Sequence, residues 1–368
     1  MPFGASASRN SSLRAVLAVA VLNALLAFPI LYSLYKHYDD AQTPMDTVEF
    51  MAMAENGPSA APSPIRYRLL TPVLVKAMAL LPGYNIAVDY TNDAAIQETF
   101  FHFLLINFFF TVATSALLFF WLQRRVPTPY AWASSLLYLF SFNVVTANLI
   151  PMSDAACHLA IIAALLCLDR AGLASRAALA LIGVLGGLAK ETWFLVLAPW
   201  VVLAPALGGL APRLRLLAWM LPALAAFAAV VLWLPQGSAD AGAASFVGAV
   251  GDTYLGADAH LRVKNGWDTW RVFHLDTYSR SFVFHTVLAH MPFVLALAGW
   301  GWLRGRGVRM ILNRTLWIFP ALLAFGIALG IDNNAGRLAF MAFPAVALFQ
   351  AQVLREYAQR LGLHSTPA

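Results

Sequence analysis

Asp39, Asp40, Asp46 and Glu49 crowd a short stretch just after the first long apolar run of the chain. A carboxylate held there suits general-base work, taking the proton of a hydroxyl as it attacks. Each acid by itself fits a plainer role equally well: Asp46 caps a helix N-terminus and the others stay solvated. Position rather than residue type makes Asp46 and Asp40 candidates. A second set is cationic. Arg66 and Arg68 flank Tyr67 ahead of Leu69-Leu70-Thr71-Pro72, Lys190 interrupts an apolar stretch beside Glu191, and Arg337 follows Asp332-Asn333-Asn334-Ala335-Gly336. Such arginines either snorkel toward headgroups or grip a phosphate with two parallel N–H groups. An ionisable residue inside an apolar run costs roughly 2.5–3.5 kcal/mol at mid-membrane unless it meets water or a partner. Adjacent side chains on a helix diverge, so Lys190 and Glu191 do not satisfy each other. A cavity lined by Lys190 is expected, with Arg337 as a second cation for an anion held in it.

Asp154 stands in Pro151-Met152-Ser153-Asp154, with His158 one helical turn beyond. The acid either caps its helix or positions a substrate. His158 is either hydrogen-bonded core or an acceptor contact. Trp267 and Trp270 belong to a later polar stretch carrying Asp252, Asp258, His260, Asp268 and Asp276. They fit a membrane aromatic belt or a stacking surface for sugar. No His and Cys spacing suggests zinc; no cofactor is required by these residues, and a divalent ion could join the outer acids. Cys157 and Cys167 lie about 15 Å apart on one helix, too far to bridge each other.

The elements that must position these groups follow from composition. Of 368 residues 60% are apolar and 11% charged, with a mean hydropathy of +0.69, against about a quarter charged in soluble domains. An ordinary cytosolic enzyme is excluded, and lipid is the expected solvent for most of the chain. The net charge of +6 is scattered in ones and twos, so no nucleic-acid stripe forms. Membrane-length apolar runs occupy 15–35, 99–122, 130–150, 155–168, 216–235, 282–303, 315–331 and 338–354. The first is too long for a signal peptide and lacks a small-x-small cleavage site. The stretch 177–203 is read as a hairpin of two short segments turning at Lys190. With that turn the arginines outside the polar loops share one side, as short cytoplasmic loops require.

The expected architecture is therefore all-α: a single polytopic domain, 1–368, of about ten membrane segments with both termini cytoplasmic. Two long outer loops result, 36–98 and 236–281. In the first, Thr43-Pro44-Met45-Asp46 starts a helix that Asn56-Gly57-Pro58 stops. Thr71-Pro72 starts a second, with Leu70, Leu74, Ala77 and Leu81 forming an apolar stripe opposite Lys76, as in a helix lying in the interface. No repeated halves of the transporter kind are visible.

These motifs together resemble the GT-C superfamily of integral-membrane glycosyltransferases, which includes protein O-mannosyltransferases and lipid A aminoarabinose transferases. The segment from Asp46 through Ala54 is similar to that family's acid, aromatic and small-residue stretch. Arg66 through Pro72 is similar to its arginine-leucine-proline stretch, and Ser153-Asp154 to the acid opening a later span. Gly187-Leu188-Ala189-Lys190-Glu191-Thr192 resembles its lysine-glutamate-threonine turn, and Gly336-Arg337 ahead of Pro344 its late arginine-proline element. An adjacent Asp-Glu or Asp-x-Asp pair at Asp46 is absent, which leaves Asp46 and Asp40 as alternatives for the base.

The resemblance implies an inverting glycosyltransferase in a bacterial-type inner membrane, working on the extracytoplasmic face. Its sugar would come from a polyprenyl-phosphate donor and go to a hydroxyl of a lipid, glycan or protein acceptor. Asp46 or Asp40 would be the base, with Asp154 positioning substrate. Lys190, Arg337, Arg68 and Arg66 would hold the phosphate. Glu49, Glu191, Tyr67, His158, Trp267 and Trp270 are candidates for sugar or acceptor contact. The competing classes are a transporter or flippase of lipid-linked sugar, and another outer-face transferase such as a polymerase, ligase or acyltransferase.

Overall fold

The computed structural model describes residues 9–36, 45–61, 65–80, 94–141, 143–170, 172–204, 207, 209–234, 314–328 and 335–362. Asp39, Asp40, the loop 236–281 with Trp267 and Trp270, and the expected span 282–303 lie outside them. Among the described residues every regular element is helical. In chain order these are α1 (Arg9–Lys36), α2 (Met45–Asn56), α3 (Leu70–Met78), α4 (Ala94–Leu122), α5 (Thr128–Leu139), α6 (Asp154–Leu168) and α7 (Leu173–Ala189). They continue with α8 (Thr192–Leu203), α9 (Leu210–Ala218), α10 (Leu221–Trp233), α11 (Ile318–Ala328), α12 (Ala335–Phe340) and α13 (Phe343–Arg360).

Three stretches, Arg14–Leu34, Glu98–Leu122 and Leu210–Trp233, are long and apolar enough to cross a membrane. Many of their outward residues are apolar as well: Leu25, Phe109 and Leu232 are each at least 60% exposed, while the exposed charges Arg14, Glu98 and Arg215 sit toward the ends of the stretches. A water-facing bundle would spread charge along these faces, and lipid explains why this one does not. Polar groups turn inward instead. Asn23 of α1 donates to Ser115 Oγ of α4 at 2.8 Å, and Ser115 donates onward to the Ser135 carbonyl of α5 at 3.1 Å. These bonds fix the rotation of α1 against α4 and α5, because each amide or hydroxyl would otherwise be buried unpaired.

Two apolar cores flank this seam. One gathers α1, α2 and the first half of α4 around Phe50, Phe103 and Leu104. The larger packs the second half of α4 with α5 to α8 and α13 around Trp121, Trp193 and Phe343. α7 lies against α6 and α10, and α13 against α5.

The chain breaks at Lys190, which is extended at φ −167° and ψ 130° between α7 and α8. Past it, the Trp193 ring lies back over Gly183 and Gly186, whose Cβ positions would fall 2.9 and 2.5 Å from its atoms. In a straight helix Gly183 and Trp193 would stand about 15 Å apart, so the chain folds back. Close approach explains both glycines. Gly186→Val is expected to cost about 1–3 kcal/mol by overpacking, read as a lower thermal midpoint in detergent. An unchanged midpoint would show that Trp193 does not pack there.

Several expected elements come out differently. The run 130–150 is not one helix: α5 ends at Leu139, and Val144–Asn148 forms a separate π-helical turn. Ser141, Asn143 and Asn148 are buried there, and irregular backbone inside a membrane protein is tolerated where protein covers it. The run 338–354 splits into α12 and α13, because Pro344 sits in the first turn of a new helix, where its missing N–H costs nothing. α2 ends within a residue of its expected stop, where Gly57 takes φ 91° with its N–H on the Met53 carbonyl; the expected start at Thr43 and Pro44 lies outside the described residues. α3 starts at Leu70, with Leu69 at its cap and no capping side chain. Its buried line is Thr71, Pro72 and Val75 rather than the expected stripe; Ala77 is exposed.

Candidate functional site

Asp46, Asp154, Lys190 and Arg337 come from α2, α6, the break after α7, and α12, yet they form one connected ion cluster. Asp154 is at its centre. Lys190 Nζ donates to Asp154 Oδ1 at 2.8 Å, and Arg337 Nε donates to the same oxygen at 3.0 Å. Arg337 Nη2 donates to Asp154 Oδ2, so the guanidinium grips the carboxylate with two N–H groups. Arg337 Nη1 reaches the other way and donates to Asp46 Oδ2 at 3.1 Å. The Asp154 side chain is 1% exposed, those of Lys190 and Arg337 8% and 7%, and that of Asp46 31%. Asp46 is thus the wet edge of the cluster and Asp154 its dry centre.

A second pair adjoins the first through the backbone. Arg68 Nε and Nη2 donate to Glu191 Oε2 and Oε1 at 3.1 and 2.7 Å. Lys190 and Glu191 therefore do diverge, each toward a partner from a distant part of the chain. Glu49, one turn after Asp46, has its carboxyl pushed above the usual range, first by burial and then by the Asp46 charge, with the Arg68 charge opposing. Among the described residues, ion pairs join Arg68 to Glu191, Lys190 to Asp154, and Arg337 to both Asp154 and Asp46.

Local structure explains each placement. Lys190 and Glu191 occupy the break itself, where neither helix constrains the side chains to its surface. Asp154 opens α6, where the helix N-terminus favours a negative charge, and meets the cations from there. The segment before it is pinned by Asn107 of α4, whose Nδ2 donates to the carbonyls of Ile150 and Met152 at 2.6 and 3.0 Å. Arg337 lies on the six-residue α12, which the break ahead of Pro344 separates from α13.

The remaining candidates are elsewhere. Tyr67 packs edge-on against Phe227 of α10 with ring centroids 6.2 Å apart, a clamp between the first loop and α10. Arg66 is buried with its guanidinium 5.7 Å from the Tyr67 ring centre. His158 lies deeper along α6: its Nδ1 is 3.0 Å from the Tyr138 hydroxyl and 2.7 Å from Asn148 Nδ2. Because the amide must donate, Nδ1 accepts, and the Phe340 and Phe343 rings pack against the imidazole. Among the described residues no three His, Cys, Asp or Glu side chains are grouped to hold a metal.

Sequence reasoning missed Asn107, Tyr138 and Asn148. Asn107 carried a usable signal: a lone amide in an apolar run needs a partner, and here the partner is the backbone that delivers Asp154.

Comparison with protein-family models, with curated proteins and with solved structures finds no match to this chain.

Proposed function

We propose that the chain is an integral-membrane glycosyltransferase of GT-C type that moves a sugar from a polyprenyl-phosphate donor to an acceptor hydroxyl, with inversion. The observation that carries this is the convergence of Asp46, Asp154, Lys190 and Arg337 from four separate elements in one cluster. Structural pairing alone does not call for it, since burying ion pairs is an inefficient way to stabilise a bundle. About ten segments with both termini cytoplasmic, and the cluster at the outer face, complete the proposal.

In this mechanism the acceptor oxygen attacks the anomeric carbon. The bond from that carbon to the phosphate oxygen breaks, and its electron pair leaves on the phosphate. The hydroxyl proton passes to the Asp46 carboxylate, the most exposed acid of the cluster. Lys190, Arg337 and Arg68 stabilise the growing phosphate charge. A phosphate is a good leaving group, so a single carboxylate suffices. Asp154 takes a different role from substrate positioning: with both oxygens on cations and almost no exposure, it orients Lys190 and Arg337. Glu191 does the same for Arg68.

The test is transfer from a radiolabelled undecaprenyl-phosphate sugar by the purified chain in nanodiscs. Lys190→Met removes one charged donor and leaves Asp154 on Arg337. It is expected to raise the apparent donor KM about tenfold, the value of one charge-assisted hydrogen bond. An unchanged donor KM would remove Lys190 from the phosphate site, and no transfer by the parent chain with any lipid-phosphate sugar would overturn the proposal.

A further inference from the structure

We infer that an anionic phosphate entering the cluster takes the place of the Asp46 carboxylate on Arg337, so that ligand binding itself frees Asp46. The inference rests on the phosphate-binding role proposed above and adds a regulation of that site: the base is held away until the anion arrives.

The three acids differ sharply in how firmly they are held. Asp154 accepts from two cations through both oxygens at 1% exposure. Glu191 accepts two parallel bonds from Arg68 and is 15% exposed. Asp46 accepts from Arg337 Nη1 at 3.1 Å and is 31% exposed. Displacing either of the first two breaks two or more charge-assisted bonds at 1–15% exposure, whereas displacing Asp46 breaks one 3.1 Å bond at the part-exposed edge.

Asp46 also has somewhere to go. It is the second residue of the twelve-residue α2, in the first turn, where a negative charge is favoured. At 31% exposure its carboxylate can turn from Arg337 toward solvent without being buried unpaired. Local repulsion argues for exchange over addition. Glu49, one turn along α2, is already pushed up by burial and by the Asp46 charge, so a further anion is accommodated better where Asp46 leaves the guanidinium than beside it.

The experiment measures binding of undecaprenyl phosphate to the full chain in phosphatidylcholine nanodiscs by native mass spectrometry. Undecaprenol serves as the neutral control and inorganic phosphate as competitor. Asp46→Asn removes the competing charge and keeps the side-chain shape. It is expected to bind undecaprenyl phosphate about fivefold tighter than the parent, the ratio one part-exposed ion pair supports. Glu49→Gln removes a neighbouring charge one turn along α2, on the Arg68 side of the cluster, and is expected to tighten binding less. Competition by inorganic phosphate would support exchange with a free anion, and its failure to compete would support exchange with a lipid-borne one.

Two failures are separable. If Asp46→Asn binds no tighter than the parent, or no tighter than Glu49→Gln, while Lys190→Met still weakens binding, the exchange is wrong and the phosphate site stands. If undecaprenol binds as well as undecaprenyl phosphate, or Lys190→Met changes nothing, the phosphate site falls and the exchange with it.

Discussion

Asp154→Asn is expected to lower stability by about 3–5 kcal/mol, the cost of breaking a buried ion network from one side. Lys190 and Arg337 would then face one another across a neutral amide at 8% and 7% exposure, with only the rim Asp46 still on Arg337. In a chain of this size the loss corresponds to a fall of about 4–6 °C in the thermal midpoint, followed by tryptophan fluorescence in detergent. The double variant Asp154→Asn/Lys190→Met is expected to recover part of it, since one of the two opposed cations is gone. An Asp154→Asn midpoint equal to the parent's would mean that the cluster is not buried as described. Failure of the second substitution to help would mean that cation repulsion is not the cause.

Asp46→Asn is expected to do the reverse, sparing the fold and removing the chemistry. One ion pair with a 31%-exposed partner is worth at most about 1 kcal/mol, so the midpoint should stay within a few degrees of the parent's. Removal of a general base costs about 10²–10⁴ in turnover. The contrast between the two aspartates is the informative measurement, made on the same preparation with a lipid-phosphate sugar donor. Asp46→Asn protein that is folded and still transfers sugar at the parental rate would move the base to another acid. Asp40, adjacent in chemistry and outside the described residues, would be the next substitution.

Much of the bundle was legible in the residues alone, for reasons particular to each element. α2 was readable at its end, because Asn56-Gly57-Pro58 reads as a stop and Gly57 supplies the positive φ that ends it. The break at Lys190 was readable because charge inside an apolar run is expensive, and a turn is the cheapest escape. The run 130–150 misled because periodicity and hydropathy report a residue's preference for an apolar place, not whether its backbone is helical there. Ser141, Asn143 and Asn148 were the sign of irregular backbone, and they are weak evidence without a partner in view. α3 misled in a related way. Its apolar residues cover most of its surface, so the tie of Arg68 to Glu191 is better placed than any stripe to fix which face turns inward.

Composition and order of residues were enough to determine an apolar helical chain with scattered cations, acids bunched after the first span, and Lys190, Glu191 and Arg337 as the costly charges to be explained. Those properties are local, set by transfer free energies and by the backbone needs of single segments. Which charge meets which was decided only by the tertiary structure: Arg68 with Glu191, and Asp154 between Lys190 and Arg337 with Asp46 at the rim. An ion pair depends on separations of a few ångströms between groups up to 291 positions apart in the chain, and such distances exist only once the helices have packed.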